Sequence, residues 1–382
     1  MTKARNILFI SDVYEPMKGG LVTSLKRILT GLSSISKDNI HLLTPSYENA
    51  EIGSFKVEEG FTLHRYGEGG IESEYLYIPF MIKQVKKLND VYNFDVIVAF
   101  YANFPLLIAG TAHEYLNTPY IICARGSDIN VNLLNSWRRD KLSAYFSNAS
   151  LIICNSYDMI EKIVKWDLLP REKTMYIRNS IDVSDIQMVK PPVKYDFLFV
   201  GTAKPVKRFD SIISALEVLK KRGVKAKLGA LLMPHRRQEE LVSLYKETCT
   251  SLGLLEYVDF IDPVAHKECM ELFSKTKSII VPSDSEGCSN IIMEAMAAGC
   301  RIIARSTSIQ EHLIGEHNMV FNNNDELAAA MIKVAENPVS IILENRERVL
   351  LSHRKEMEFR LFAEGIDIAL KNDNVENQNE KN

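Results

Sequence analysis

Missing from this 382-residue sequence is any apolar run long enough to cross a membrane, which takes about 20 residues. The opening stretch MTKARNILFISDVYEP has an apolar core far shorter than a secretory leader needs. Excess charge is missing too. Residues 1–190 carry 21 basic and 21 acidic side chains, the remainder 25 and 28. Binding to nucleic-acid phosphates needs a basic surplus, and neither half has one. The six cysteines (123, 154, 249, 269, 288 and 300) show no CxxC spacing and mostly sit in apolar runs, so they read as reduced core residues. GxGxxG is absent, which argues against a dinucleotide oxidoreductase. No period of 20–50 residues suggests a solenoid. These absences point to a cytoplasmic protein, with a contact to the membrane face still open.

What is present is the usual globular balance, 46% apolar and 25% charged, on a chain long enough for two domains. Apolar runs at 6–11, 40–45, 95–101, 120–124 and 151–156 read as buried parallel strands separated by helical patterns. The rhythm restarts at 195–201 and continues through 226–232, 258–261, 278–283 and 301–304. Strand and helix alternating twice over predicts two doubly wound α/β domains. The linker is placed at QMVKPPVK, 187–194, for its paired prolines. The expected division is 1–190, 191–352, a C-terminal helix over 353–371 and a disordered polar tail over 372–382.

Ligands of open parallel sheets bind beyond the carboxyl ends of the strands, and several motifs fall there. Gly19 and Gly20 stand between the first strand and its helix, where a glycine pair lets backbone approach a phosphate; a ligand-free tight turn is the plainer reading. Arg125-Gly126-Ser127-Asp128 follows another strand, suited to a sugar or phosphate or to a mutual surface salt bridge. Gly201 ends a strand and is followed by Lys204, Lys207 and Arg208. Cations at a helix start oppose the helix dipole and make better sense with a bound polyanion such as a diphosphate; a solvated charge run is the plainer reading and, for this motif alone, an equal one.

The stretch VPSDSEGCSNIIMEAMAAGCRIIA, 281–304, places Glu294 on a helix that is apolar around it, with Glu286 in the loop before. A buried carboxylate costs several kcal/mol unless its lone pairs are filled. Two ribose hydroxyls would fill them; an arginine or a backbone amide is the structural alternative. Asp284-Ser285-Glu286 is too small an acidic cluster to favour a metal.

Glu286-Gly287, then Glu294 and AMAAGCRIIA, resembles the EG…E-A-M-A-x-G signature of retaining glycosyltransferase family 4, with its GT-B fold of two Rossmann-like domains facing across a cleft. The likeness extends through Gly19-Gly20, RGSD, IRNSID (177–182), FVG…K (199–207) and a C-terminal helix returning to the first domain. It implies an acceptor-side first domain and a second domain that binds a nucleotide-sugar. Glu294 would hold the ribose and Lys207 the diphosphate, while the loop Glu286–Asn290 would contact sugar and phosphates. Gly19-Gly20 would close over the diphosphate from the opposite domain.

The expected catalytic set is Glu286, Lys207, Arg125 and Asp128. The expected donor-binding set is Gly19, Gly20, Gly201, Lys204, Arg208, Gly287, Ser289, Asn290 and Glu294, with no metal and no cofactor. Three positions depart from the family pattern. Arg125 stands where a histidine is usual, Thr202 where an arginine is usual, and Asn179-Ser180 where the family has Asn-Gly.

The resemblance implies transfer of a sugar from a nucleoside diphosphate, UDP ahead of GDP, to a glycan or lipid-linked acceptor in cell-surface polysaccharide synthesis. A GT-B-like epimerase or hydrolase and a two-lobed binding protein are the alternatives. The stretches 75–92 and 136–141, rich in aromatics and cations, could rest on an anionic membrane; an ordinary packed helix is preferred for the first.

Overall fold

Apolar runs such as Val96–Phe100 and Leu151–Cys154 have two faces to hide, and they become interior strands of parallel sheets. The computed structural model describes residues 4–17, 19–47, 50–68, 74–184, 186–233, 239–284, 289–306 and 315–379. The chain forms two compact units, Met1–Asn179 with Lys355–Asn382, and Ser180–Arg354.

The first unit holds β1 (Asn6–Ile10), β2 (Asn39–Ser46), β3 (Gly53–Lys56), β4 (Thr62–Glu68), β5 (Val96–Phe100), β6 (Tyr120–Ala124), β7 (Leu151–Cys154) and β8 (Thr174–Tyr176). Their order is β3-β4-β2-β1-β5-β6-β7-β8, with β3 and β4 antiparallel and the other neighbours parallel. Side chains alternate across β1. Leu8 and Ile10 enter one core with Met81, Val85 and Leu88 of the helix Glu74–Tyr92. Ile7 and Phe9 enter the other, with Leu25 and Leu29 of the helix Gly20–Ile35 and Phe362 and Ile366 of the helix Lys355–Asn379.

That last helix docks closely on Gly20–Ile35. A Cβ at Gly31 would stand 2.3 Å from the Phe359 ring. Beside it, Arg27 Nε and Nη2 donate to the two oxygens of Glu358 at 2.8 and 3.1 Å. Glu358 is 2% exposed, so this fork is a buried anchor.

The second unit holds β9 (Tyr195–Thr202), β10 (Leu228–Met233), β11 (Val258–Ile261), β12 (Thr276–Val281), β13 (Arg301–Arg305) and β14 (Met319–Phe321), ordered β11-β10-β9-β12-β13-β14 and parallel throughout. The chain's progress across the sheet reverses between β9 and β12. Such a reversal opens a crevice at the carboxyl ends of the two strands.

Two expectations need correction. The unit boundary falls at Asn179/Ser180, not after residue 190, because Ile181, Ile186 and Val189 already belong to the second core. The proline-rich stretch is tied down: Val189 N–H donates to Ala298 O and Lys190 N–H to Ser274 O. The terminal helix runs on to Asn379, beyond the expected end at 371.

Cys123, Cys154, Cys249, Cys269 and Cys300 are unpaired and buried, and burial raises each thiol, Cys123 and Cys269 to about 12 and Cys249 to about 11. Cys288 lies outside the described residues. Among the described residues no helix is long and apolar enough to cross a membrane.

Candidate functional site

In the second unit the reversal point carries the chemistry. Gly201 is buried near the end of β9, where a Cβ would lie 3.1 Å from Phe199 Cζ. The chain then turns through the single-turn 3-10 helix Pro205–Lys207, sets Arg208 in the left-handed region (φ 50°) and enters the helix Phe209–Lys221. Asp284 N–H donates to Val206 O at 2.9 Å, fastening the loop after β12 to this turn. A pocket opens between them, lined by Lys207, Val281, Ser283, Ser289 and Ile291 among others. Ser289 precedes the helix Asn290–Ala297, so that helix begins beside the pocket, its amide end favouring an anion.

Of the three expected cations, two remain at the pocket end. Lys204 is half-buried, and burial first, then the Lys207 charge, pushes its ammonium down. Two ammonium groups that repel each other beside a helix N-terminus make a seat for a polyanion. Arg208 is instead engaged elsewhere. Its Nε and Nη2 donate to Asp210, and Nη1 donates to Asp284 at 3.2 Å, so its charge is spent on two carboxylates. Asp284 also faces Arg305 at 3.7 Å, so it serves ion pairs. Glu286 and Gly287 fall outside the described residues.

Glu294 is 7% exposed among Met293, Ala295 and Met296, which are buried apolar residues. Its Oε1 lies 3.1 Å from Nε2 of His266, the first residue of the helix His266–Ser274. The structural partner is therefore a histidine, where an arginine or a backbone amide was the expected alternative. Nothing in the local pattern announces it: His266 is 28 positions away, and only the packing of two helices brings it to Glu294.

In the first unit Gly19 (φ 141°) precedes the helix Gly20–Ile35, and a Cβ on either glycine would meet no atom within 4 Å. Backbone conformation asks for glycine at 19; packing within the unit asks for it at neither position. Arg125, after β6, turns inward. Its Nη2 donates to Ser24 Oγ, and its guanidinium lies 4.9 Å from the centroid of Phe100. Ser24 in turn accepts from Arg27 Nη2 at 3.0 Å, joining Arg125 to the Glu358 anchor.

Asp128 is fully buried. Its carboxylate accepts backbone N–H bonds from Ala102, Arg125, Gly126 and Ile129 at 2.8–3.2 Å. Burial raises its pKa, while those four amides oppose the rise. These contacts make Asp128 a loop anchor tying the ends of β5 and β6. It also replaces the mutual salt bridge, since Arg125 gives Asp128 its backbone amide and not its guanidinium.

Two groups at the same end of this sheet escaped the sequence reading. Asp12 follows β1, and burial lifts its carboxyl to about 7 although the Tyr77 hydroxyl donates to it at 2.9 Å. Tyr101 follows β5 at φ 96°, a strained setting for a non-glycine residue, and its hydroxyl is 2.7 Å from Ser127 Oγ. Asp12 had a signal, an acid just past a first strand; Tyr101 had none.

Residues 18–185 match the model described as Glycosyltransferase Family 4, and residues 182–351 the one described as Glycosyl transferases group 1. The O-antigen chain mannosyltransferase RfbU of Salmonella typhimurium is 27% identical over 175 residues, 46% of this chain and 47% of that one, so the match spans about half of that relative. A glycosyltransferase of Methanocaldococcus jannaschii with no characterised activity is 23% identical over 339 residues, 86% of this chain and 88% of its own. Among solved structures, sucrose-phosphate synthase of Thermosynechococcus elongatus superposes with a TM-score of 0.79 at 17% identity, covering 98% of each chain. HepE of Anabaena, solved with UDP and glucose, gives 0.77 at 17% identity over 95% of this chain and 99% of its own. The two models thus match the two units in order, residues 18–351 between them, and the solved structures share the GT-B architecture of two Rossmann-like domains.

Proposed function

We propose that the protein moves a sugar from a nucleoside diphosphate to a glycan or lipid-linked acceptor, with retention of configuration, in the building of cell-surface polysaccharide. The observation that carries this reading is the pocket at the β9/β12 reversal, where Lys207, Ser289 and the start of the helix Asn290–Ala297 converge and Lys204 repels Lys207. Such a seat stabilises a leaving diphosphate as negative charge develops on it. Lys207 offsets that charge, Lys204 takes the part of the family arginine missing at Thr202, and Ser289 and Asn290 offer the helix start to phosphate oxygens. Glu294 receives the ribose hydroxyls. Glu286 and Gly287 contact the donor sugar. Arg125 serves sugar selection, and Gly19 and Gly20 leave backbone open to an anionic group.

UDP is the preferred nucleotide. HepE, with the same fold, is solved with UDP and with UDP-glucose. RfbU, an O-antigen chain mannosyltransferase, supports a polysaccharide acceptor. A thermal-shift screen of nucleotides and nucleotide-sugars tests donor binding, since a ligand of the native state raises the melting temperature. Nucleotide release measured with and without acceptors then separates the candidates: release that needs an acceptor supports transfer, acceptor-independent product supports an epimerase or hydrolase, and binding without turnover supports a two-lobed receptor.

The reaction is assigned to the cytoplasm, with a peripheral contact at the inner membrane face as a second reading. Leu134 and Trp137, 64% and 67% exposed, favour that contact, and Lys141 lies over the Trp137 ring. The helix Glu74–Tyr92 does not add to it through Tyr77, Met81, Val85 and Leu88, which are buried in the core. Sedimentation with anionic vesicles but not neutral ones is the expected result; equal partition, or none, removes the electrostatic contact.

A further inference from the structure

The partner of Glu294 is an unusual choice for a nearly sealed carboxylate. The Glu294 side chain is 9% exposed, whereas that of His266 is 68% exposed. A buried carboxylate kept for stability alone is best paired with a buried, permanently charged arginine that fills both oxygens. Here a solvent-facing imidazole at the first position of a helix approaches Oε1 at 3.1 Å.

The placement is firmly built. Glu268 reaches back to the Ala265 N–H at 3.0 Å and fixes the start of the helix His266–Ser274. Cys269, Met270 and Phe273 of that helix enter the core that also holds Ile292, Met293 and Met296 of the helix bearing Glu294. Both backbones are therefore rigid where the two side chains meet.

An ionised carboxylate offers about four lone-pair directions and donates nothing. An imidazole N–H on Oε1 occupies one direction and halts rotation of the carboxylate plane. A vicinal pair of hydroxyls needs that plane held in advance, because two hydrogen bonds to one carboxylate form together only from a narrow range of orientations.

We infer that His266 is a positioning residue for nucleoside recognition: its Nε2–H orients the Glu294 carboxylate so that it accepts both ribose hydroxyls of the donor. This rests on the assignment of Glu294 to ribose made above. The imidazole does not compete with the sugar. It presets the carboxylate that the sugar meets.

The test is calorimetric titration of the full-length protein with ADP, GDP and UDP and with their 2′-deoxy forms, taking the tightest of the three bases. His266→Ala weakens binding of the ribonucleotide about five- to tenfold, the scale of one ordinary net hydrogen bond, because the imidazole acts on the nucleotide only through Glu294. It narrows the preference for ribose over 2′-deoxyribose and leaves the melting temperature nearly unchanged, as suits an exposed side chain.

His266→Gln restores most of the preference, because the glutamine amide nitrogen stands where Nε2 stood; His266→Asn, which matches Nδ1 instead, does not. An unchanged ribose preference in His266→Ala, alongside a lowered one in Glu294→Gln, overturns the inference and spares the ribose assignment. Tighter binding in His266→Ala makes the imidazole a competitor and overturns it too. No nucleotide binding by the wild type, or no effect of Glu294→Gln, overturns the ribose assignment itself.

Discussion

Replacing Glu294 by glutamine separates binding from folding at one position. Were Glu294 sealed against an arginine, losing its charge would strand a buried cation and cost about 3–5 kcal/mol. Its partner is His266, whose side chain is 68% exposed and so stays solvated whether or not Glu294 is charged. Glutamine also keeps one carbonyl oxygen to accept from Nε2. Glu294→Gln is therefore expected to change folding stability by no more than about 0.5 kcal/mol, the range of replacements that break no buried network. Binding behaves differently. Each ribose hydroxyl donating to a carboxylate is worth about 1.5–3 kcal/mol, and an amide retains one acceptor where the carboxylate has two. Loss of one such bond weakens nucleoside diphosphate binding about 10- to 150-fold. A urea denaturation curve and a calorimetric titration on the same preparation read both quantities. A loss of several kcal/mol of stability with unchanged affinity would refute the reasoning and make Glu294 a structural anion.

Other perturbations follow from the same geometry. Lys207→Ala removes one of the two ammonium groups at the reversal point and should lower turnover by about two orders of magnitude with the fold intact, measured as nucleotide release; near-normal turnover would reduce the pair to a solvated surface. Asp12 has a folded pKa of about 7 against an ordinary 3.8. The unfolded chain therefore loses this proton first, and stability contributed by Asp12 declines as pH rises from about 4 to about 7, by ~1.4 kcal/mol for each unit of displacement. Asp12→Asn, which keeps an acceptor for Tyr77, should flatten that slope in denaturation curves across this range; an unchanged slope refutes it. Glu358→Gln should destabilise the protein by about 3 kcal/mol, since Arg27 keeps its charge in a buried fork, and Arg27→Met combined with Glu358→Leu should recover most of the loss. A double variant no more stable than the single one would count against the fork as the source of the cost.

The chain's own pattern determined the parallel interiors of the two sheets. Runs such as NILFI, YIICA and TKSIIV are apolar enough to need burial on both faces, and this local demand survives whatever the rest of the chain does. Shorter strands at or near the sheet edges carry no such demand: β3 alternates between half-buried and exposed positions, and β8 and β14 have three residues each, so only pairing with a neighbour makes them strands. The site divides in the same way. Glycines and cations after strands are visible in one dimension because strand ends are. Which charges stay at the pocket was decided in space, where Arg208 met Asp284 across 76 positions while Lys207 came to line the pocket with its charge acting on half-buried Lys204. Asp128 became a loop anchor because backbone amides of two strand ends converged on it, and Glu294 found His266 because two helices share one core. Periodicity records what each segment must hide; the partner of each polar group depends on which segments arrive beside it, and that is a property of the packed chain.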